Sequence, residues 1–201
     1  MSSGECFLKI NVENSDTLFV SFAGHDLVYG RIPRFEFVQF FDKHFSNINR
    51  HFYIDKFKTS YHNGIYGIST NIDETAEYLK REIQNYKNVV FLGVSSGGYA
   101  AILFGSLLNV KSVVAFIPQT IRRYKDVDEK YRDLKPYINK TTKYYLLCDS
   151  SITNVYDPHH MSHCTRIYNN FNVFIKDKPR ISLKKMRDSG ELYAIMTNAI
   201  I

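Results

Sequence analysis

Residues 89–108 constrain this chain more than any others. Val89-Val90-Phe91-Leu92 is a continuous apolar run of strand type. It passes directly into Gly93-Val94-Ser95-Ser96-Gly97-Gly98 and then into the almost wholly apolar stretch Tyr99–Leu108. A buried strand that turns sharply into a buried helix forces the residue at the apex, Ser95, into a sparsely populated backbone conformation. Small residues are needed two positions before and after the apex, because a larger side chain would collide with the neighbouring strand and helix, and Gly93 and Gly97 stand there. The serine hydroxyl is left exposed above the carboxyl edge of the sheet, where open α/β folds bind ligands. The amide of Ser96, at the helix start, is available to a developing oxyanion. The rival reading, a phosphate-binding glycine loop, lacks both a G-x-G-x-x-G and a closing Lys-Ser/Thr pair.

The rest of the chain supplies a sheet for this strand. Phe7–Val12 and Thr17–Phe22 flank the polar cluster Glu13-Asn14-Ser15-Asp16 and read as a hairpin. Phe52–Asp55, Ser112–Phe116, Tyr144–Cys148 and Asn172–Ile175 are further strands, mostly of the continuous apolar kind found in doubly covered parallel sheets. Asn71 is placed to cap a helix with Asp73 and Glu74 in its first turn and an apolar stripe of Ile72, Ala76, Leu79 and Ile83. Ser96–Leu108 reads as a buried central helix, Asp157–Tyr168 carries a partial helical pattern, and Ser182–Ile200 is an amphipathic final helix broken near Gly190. Strands alternating with helices after an opening hairpin predict an α/β three-layer sandwich with a mainly parallel central sheet, as a single domain over residues 1–201.

Composition narrows the function classes. The N-terminus has no basic region followed by an apolar stretch, and the most apolar run is about half the ~20 residues needed to cross a bilayer. A cytoplasmic protein without a membrane partner is expected. The three cysteines are odd in number and form no CxxC pair, which argues against a disulfide framework or a zinc site. No metal or cofactor is predicted, and Cys6 and Cys148 read as buried thiols. Part of the net charge of +6 sits in Ile121–Lys143, with eight Lys/Arg against four Asp/Glu. That stretch reads as solvated surface able to meet an anionic substrate, and no nucleic-acid-binding motif accompanies it.

A second feature fits the elbow. Val20-Ser21-Phe22-Ala23-Gly24-His25 ends an early strand in a small-residue turn, where a second oxyanion N–H is expected from Ala23 or Gly24. Similarity then extends over nearly the whole chain, loosely in its last third. Leu18–Gly24, Phe52–Asp55, Tyr61-His62-Asn63-Gly64, Ile72–Ala76, Gly93–Gly105 and Ala115–Thr120 carry it, and Ser96-Gly97-Gly98-Tyr99-Ala100-Ala101 followed by Leu103-Phe104-Gly105 is its most specific part. These segments resemble small α/β-hydrolase-like domains found alone or fused to polysaccharide-biosynthesis and glycosyltransferase-type proteins. The resemblance implies a serine esterase or acyl-transfer scaffold acting on a small or carbohydrate-linked acyl ester.

The acid and the base are less plainly written. In this fold the order is Ser, Asp, His, with the acid after a late strand and the histidine after the last. Asp149 closes Tyr144–Cys148, and Asp157 stands in Asp157-Pro158-His159-His160. The resemblance implies an Asp followed three residues later by His, which favours Asp157 with His160. It also implies a histidine ten residues before a glycine in the final helix. Counting back from Gly190 lands on Arg180, and no histidine follows His163. Arginine cannot act as a general base near neutral pH. His25, His159, His160 and His163 are therefore the candidates for a displaced base; His62 reads as a pocket residue, and His44 and His51 as structural.

Two readings follow. In the first, Ser95 is a nucleophile assisted by Asp157 and His160, with Ser96 and Ala23 or Gly24 holding the oxyanion. In the second, the protein is a pseudoenzyme whose pocket binds an anionic ligand or a partner protein through Arg180, a residue suited to bidentate contact with carboxylate or phosphate.

Overall fold

The structure, a computed structural model, describes residues 1–25, 35–122 and 127–201, together with the backbone of 28–29 and 32–33. In chain order the strands are β1 (Ser2–Gly4), β2 (Phe7–Ile10), β3 (Thr17–Phe22), the short pair β4 (Val28–Tyr29) and β5 (Ile32–Pro33), β6 (Asn49–Tyr53), β7 (Asn88–Val94), β8 (Ser112–Phe116), β9 (Lys143–Cys148) and β10 (Val173–Asp177). The helices are α1 (Val38–His44), α2 (Ile72–Ile83), α3 (Ser96–Leu107), α4 (Ser162–Thr165), α5 (Leu183–Asp188) and α6 (Glu191–Ile200). The main sheet has the order β1-β2-β6-β3-β7-β8-β9-β10 and is parallel from β6 to β10.

The strand period of two divides the core into two layers. Along β7, Val89 and Phe91 face a cluster with Ile72 and Leu79 of α2 and Tyr99 to Phe104 of α3. Val90 and Leu92 face the opposite cluster, with Phe40 and Phe41 of α1, Met186 of α5 and Leu192, Met196 and Ala199 of α6. Helices thus cover both faces of the sheet, and α3 is buried along nearly all its length because its sequence is apolar on every side.

The expected α2 begins at its cap, with the Asn71 side chain accepting from the Glu74 amide. The final helix is split as expected, into α5 capped by Ser182 and α6 entered through Gly190 at φ 79°. The hairpin is corrected. β1 and β2 form it, whereas Thr17–Phe22 is separated from Phe7–Ile10 by β6. Every residue of β3 is buried, so it belongs in the middle of the sheet, while the half-exposed β2 suits a place near the edge. β6 starts earlier than the apolar pattern indicated, because Asn49, Arg50 and His51 are buried polar residues with specific partners. Asn49 bonds Val12 N and the carbonyls of Ser15 and Thr17, Arg50 reaches the carbonyls of Phe41 and Phe45, and His51 meets Asn11. The partial helix over Asp157–Tyr168 contracts to Ser162–Thr165, and the residues before it form turns.

Among the described residues, no helix is long and apolar enough to cross a membrane, and no group of three or more His, Cys, Asp or Glu could hold a metal ion. All three cysteines are buried free thiols. In the basic stretch, Lys130 pairs with Asp73, Arg132 with Glu129, and Asp133 takes a bidentate contact from Arg166.

Candidate active site

The elbow forms as its glycines require. Ser95 sits between β7 and α3 at φ 55°, ψ −116°, a conformation that side-chain-bearing residues rarely adopt. A Cβ on Gly93 would lie 2.3 Å from the backbone of Gly97, and one on Gly97 would lie 2.0 Å from the Phe22 carbonyl oxygen. Ser95 is locked at both ends, its amide donating to Phe116 O at 2.9 Å and its carbonyl accepting from Tyr99 N at 3.0 Å. Its side chain stays partly open to solvent.

An imidazole meets it. His159 Nε2 lies 2.7 Å from Ser95 Oγ, and His159 Nδ1 lies 3.5 Å from Asp157 Oδ1. The same carboxylate oxygen accepts the His159 amide at 2.8 Å, so a tight local turn carries both groups. With its Nδ1–H toward Asp157, the ring offers the Nε2 lone pair to the serine hydroxyl. Asp157 is thus brought to the ring beside the serine, and that ring belongs to His159 and not to His160. The turn sends the neighbouring His160 away, where its Nδ1 contacts Ser162 Oγ at 3.0 Å and accepts the Ser162 amide.

Several buried contacts anchor this turn. His163 Nδ1 accepts the Thr120 amide, Thr120 Oγ1 donates to the His163 carbonyl, and Arg166 donates to Thr120 O and Asp133. The segment after β8 is thereby tied to α4, the helix that follows the turn. The candidate His163 is engaged with Thr120 through both its ring and its carbonyl. Gln119, in the same segment, directs its side-chain amide at Ser95 Oγ from 3.5 Å. Sequence reasoning did not single out Gln119, although it lies within Ala115–Thr120.

The remaining expected site residues are elsewhere employed. Asp149 accepts from the amides of Ser151, Arg180 and Ile181 and from the Ser151 hydroxyl. Burial pushes its carboxyl up, but these hydrogen bonds outweigh it and hold the group below the usual range. Arg180 adopts φ 55°, gives its amide to Asp149 and leaves its side chain exposed. His62 is buried, with Nε2 3.0 Å from the Tyr99 hydroxyl and Nδ1 accepting the Asp128 amide. Burial, reinforced by the Arg122 charge, lowers its pKa to about 4. His25 Nε2 lies 3.5 Å from Ser60 Oγ.

The oxyanion turn holds a further correction. The Ala23 amide donates to Tyr53 O at 3.0 Å, extending the β3–β6 pairing, and is not free for a substrate. Ser96 is the first residue of α3, where an amide has no acceptor within its own helix. The Gly24 amide is faced by the carboxyl of Glu36. That carboxyl is pushed up to about 7 by burial, the Gly24 hydrogen bond opposing the shift. Both Glu36 Oε1 and Ser95 Cβ lie 3.9 Å from the point a Gly24 Cβ would occupy. The only signal of Glu36 in the sequence is a lone carboxylate inside Phe35-Glu36-Phe37.

No family model matches the chain, and no curated protein matches it in sequence. Solved structures do match. The capsule O-acetyltransferase of Neisseria meningitidis serogroup A, in complex with CoA, superposes with a TM-score of 0.66 at 17% identity, over 98% of this chain and 93% of that one. A fluorophosphonate-binding serine hydrolase of Staphylococcus aureus gives 0.60 at 14% identity, over 94% of this chain and 86% of that one. A Glycosylation Associate Protein complex from Streptococcus agalactiae gives 0.59 at 11% identity, over 94% of this chain and 44% of that one. The fold is α/β-hydrolase-like.

Proposed function

We propose that this protein is a serine acyl-transfer enzyme that uses Ser95 as nucleophile, His159 as general base and acid, and Asp157 to orient His159. The 2.7 Å contact between Ser95 Oγ and His159 Nε2 carries the reading, because a serine hydroxyl is a poor nucleophile until a base accepts its proton. Ser95 Oγ attacks the acyl carbonyl carbon as its proton passes to Nε2, and the carbonyl π electrons move onto oxygen. Collapse of the tetrahedral adduct breaks the bond to the leaving group, which takes the proton from Nε2. The acyl-serine is then attacked by an acceptor hydroxyl or water, deprotonated by the same imidazole, and Ser95 is regenerated.

The substrate class is a small or carbohydrate-linked acyl ester or thioester. Support comes from the structural neighbours, one an O-acetyltransferase of capsule bound to CoA and one a serine hydrolase. Chain order is kept as Ser95, Asp157, His159. The Arg180 pseudoenzyme reading has less support, since that side chain is exposed and its backbone is engaged by Asp149.

A fluorophosphonate probe read by intact mass tests this, because it reports an activated serine without requiring the substrate. Rapid single-site labelling that is lost in Ser95→Ala is expected. No labelling of the folded wild-type protein would overturn the assignment.

A further inference from the structure

A carboxyl of the protein itself lies against the candidate second oxyanion donor, Gly24. Three amides are candidates to hold a developing oxyanion. Ala23 is committed to Tyr53 O, Ser96 is free of any intrahelical partner, and Gly24 has the Glu36 carboxyl beside it, with Oε1 3.9 Å from the point a Gly24 Cβ would occupy. With Glu36 in place the site has one oxyanion amide instead of two, and loss of one such donor slows acyl transfer by roughly 10²–10³-fold. Taking Ser95 as the nucleophile, we propose that Glu36 gates the oxyanion hole: its carboxyl fills the substrate oxygen's place at the Gly24 amide, and acyl transfer proceeds from the state in which it has left.

The carboxyl is held loosely enough to leave. Oε1 faces Gly24, but Oε2 is buried with no hydrogen-bond partner among the described residues, so an ionised Glu36 lacks most of the bonds that would make burial tolerable. Next to it is somewhere to go. A groove of about 530 Å³ is lined by Glu36, Phe35, Phe37 and Leu183 together with Lys184 and Arg187 of α5. An outward swing of the side chain exchanges one backbone amide for solvent and two cations.

The same geometry makes the gate sensitive to pH. In the closed state the carboxyl titrates near 7, above the 4.5 of a free glutamic acid. A raised pKa means that the closed state is favoured by the protonated form and disfavoured once the group ionises. Each pH unit between the two values biases the balance tenfold toward opening, a few hundred-fold in all. The groups facing Glu36 from neighbouring elements are Tyr61 beneath the turn, which feels the Glu36 charge, and Lys184 and Arg187 from α5. His25 shares the oxyanion turn, and the His159–Asp157 pair stands across Ser95.

The variants Glu36→Ala and Glu36→Gln separate gating from packing, because they act in opposite directions. Alanine leaves the Gly24 amide uncapped, whereas glutamine keeps an acceptor there that cannot ionise. At pH 8, fluorophosphonate labelling of Ser95 should be about tenfold faster than wild type in Glu36→Ala and slower than wild type in Glu36→Gln. In protein labelled with ¹⁵N-glycine, the Gly24 amide resonance should titrate with a midpoint near 7 and lose that titration in Glu36→Gln. A Gly24 resonance indifferent to pH, or wild-type labelling that Glu36→Ala does not accelerate, refutes the gate alone. Absence of labelling in all three proteins refutes the serine assignment and the gate with it.

Discussion

Replacing His159 by alanine removes the imidazole that contacts Ser95 Oγ, and its consequence can be sized from the site. Positioned general-base catalysis contributes roughly 10²–10⁴-fold, equivalent to about 3–5 kcal/mol of activation free energy. The Ser95–His159 contact of 2.7 Å is already at hydrogen-bond length, so the full effect should be lost on substitution. The side chain is 30% exposed and belongs to a turn anchored by other residues, so stability should change by only about 0.5 kcal/mol. His160→Ala is the control. It alters the adjacent residue, loses only the contact with Ser162, and should leave the rate within about threefold. Asp157→Asn should fall between them, at roughly 10–10²-fold. Its carboxylate is 38% exposed and 3.5 Å from Nδ1, and one oxygen serves both the ring and the His159 amide. The assay is the second-order rate of fluorophosphonate labelling by intact mass, with unfolding midpoints confirming that each variant is folded. A His159→Ala protein that labels at the wild-type rate, or a His160→Ala protein that is the slow one, refutes the assignment.

Three further outcomes test the fold that presents this site. Gly97→Ala should destabilise by about 3 kcal/mol or more, since its Cβ would lie 2.0 Å from Phe22 O, whereas Gly67→Ala, with open space but φ 77°, should lose about 1–2 kcal/mol; urea unfolding distinguishes them. Asn71→Ala removes the acceptor for the Glu74 amide and should lower stability by about 1 kcal/mol, read in the same way. His62 is held neutral in the fold, its pKa lowered from 6.5 to about 4, so its contribution is fully present above pH 6.5 and lost as pH falls toward 4. Between pH 6.5 and 5 that loss is about 1.6 kcal/mol, and His62→Gln should remove that much of the pH dependence of the unfolding free energy.

The elbow and the layers around it were legible because they rest on local rules. Gly93 and Gly97 follow from steric closure, Asn71 from capping, and the continuous apolar runs of β7 and β8 from burial on both faces. Strand neighbours were less legible. Nothing local announces that Asn49-Arg50-His51 is strand, since each residue is polar and becomes buried only through partners distant in the chain. α1 escaped for the opposite reason: Phe37-Val38-Gln39-Phe40-Phe41 is so rich in aromatic and β-branched residues that its period does not stand out. The sequence offered Asp157 as a candidate acid, but not which imidazole meets it. His159 and His160 are adjacent, and which ring faces Ser95 depends on a turn set by the Asp157 side chain.

Arg180 acquires its meaning from the same comparison. The carboxylate that follows β9, Asp149, and the loop that follows β10 stand in the positions from which this fold draws its acid and base. Here they are joined to each other, the amides of Arg180 and Ile181 donating to both oxygens of Asp149. The carboxylate that could orient a histidine holds backbone instead, and a side chain without basic function is tolerated at Arg180. In the proposed mechanism acid and base come from the single turn 157–159, so their separation is set by local geometry rather than by two neighbouring strands. Such a turn can place an imidazole on Ser95 only if it is held in place, and the Thr120–His163 and Arg166–Asp133 contacts hold the helix that follows it. Breaking the latter with Arg166→Ala should therefore slow Ser95 labelling well before it unfolds the protein. A variant that loses stability while keeping the wild-type labelling rate would show that the turn holds His159 in place without that anchor.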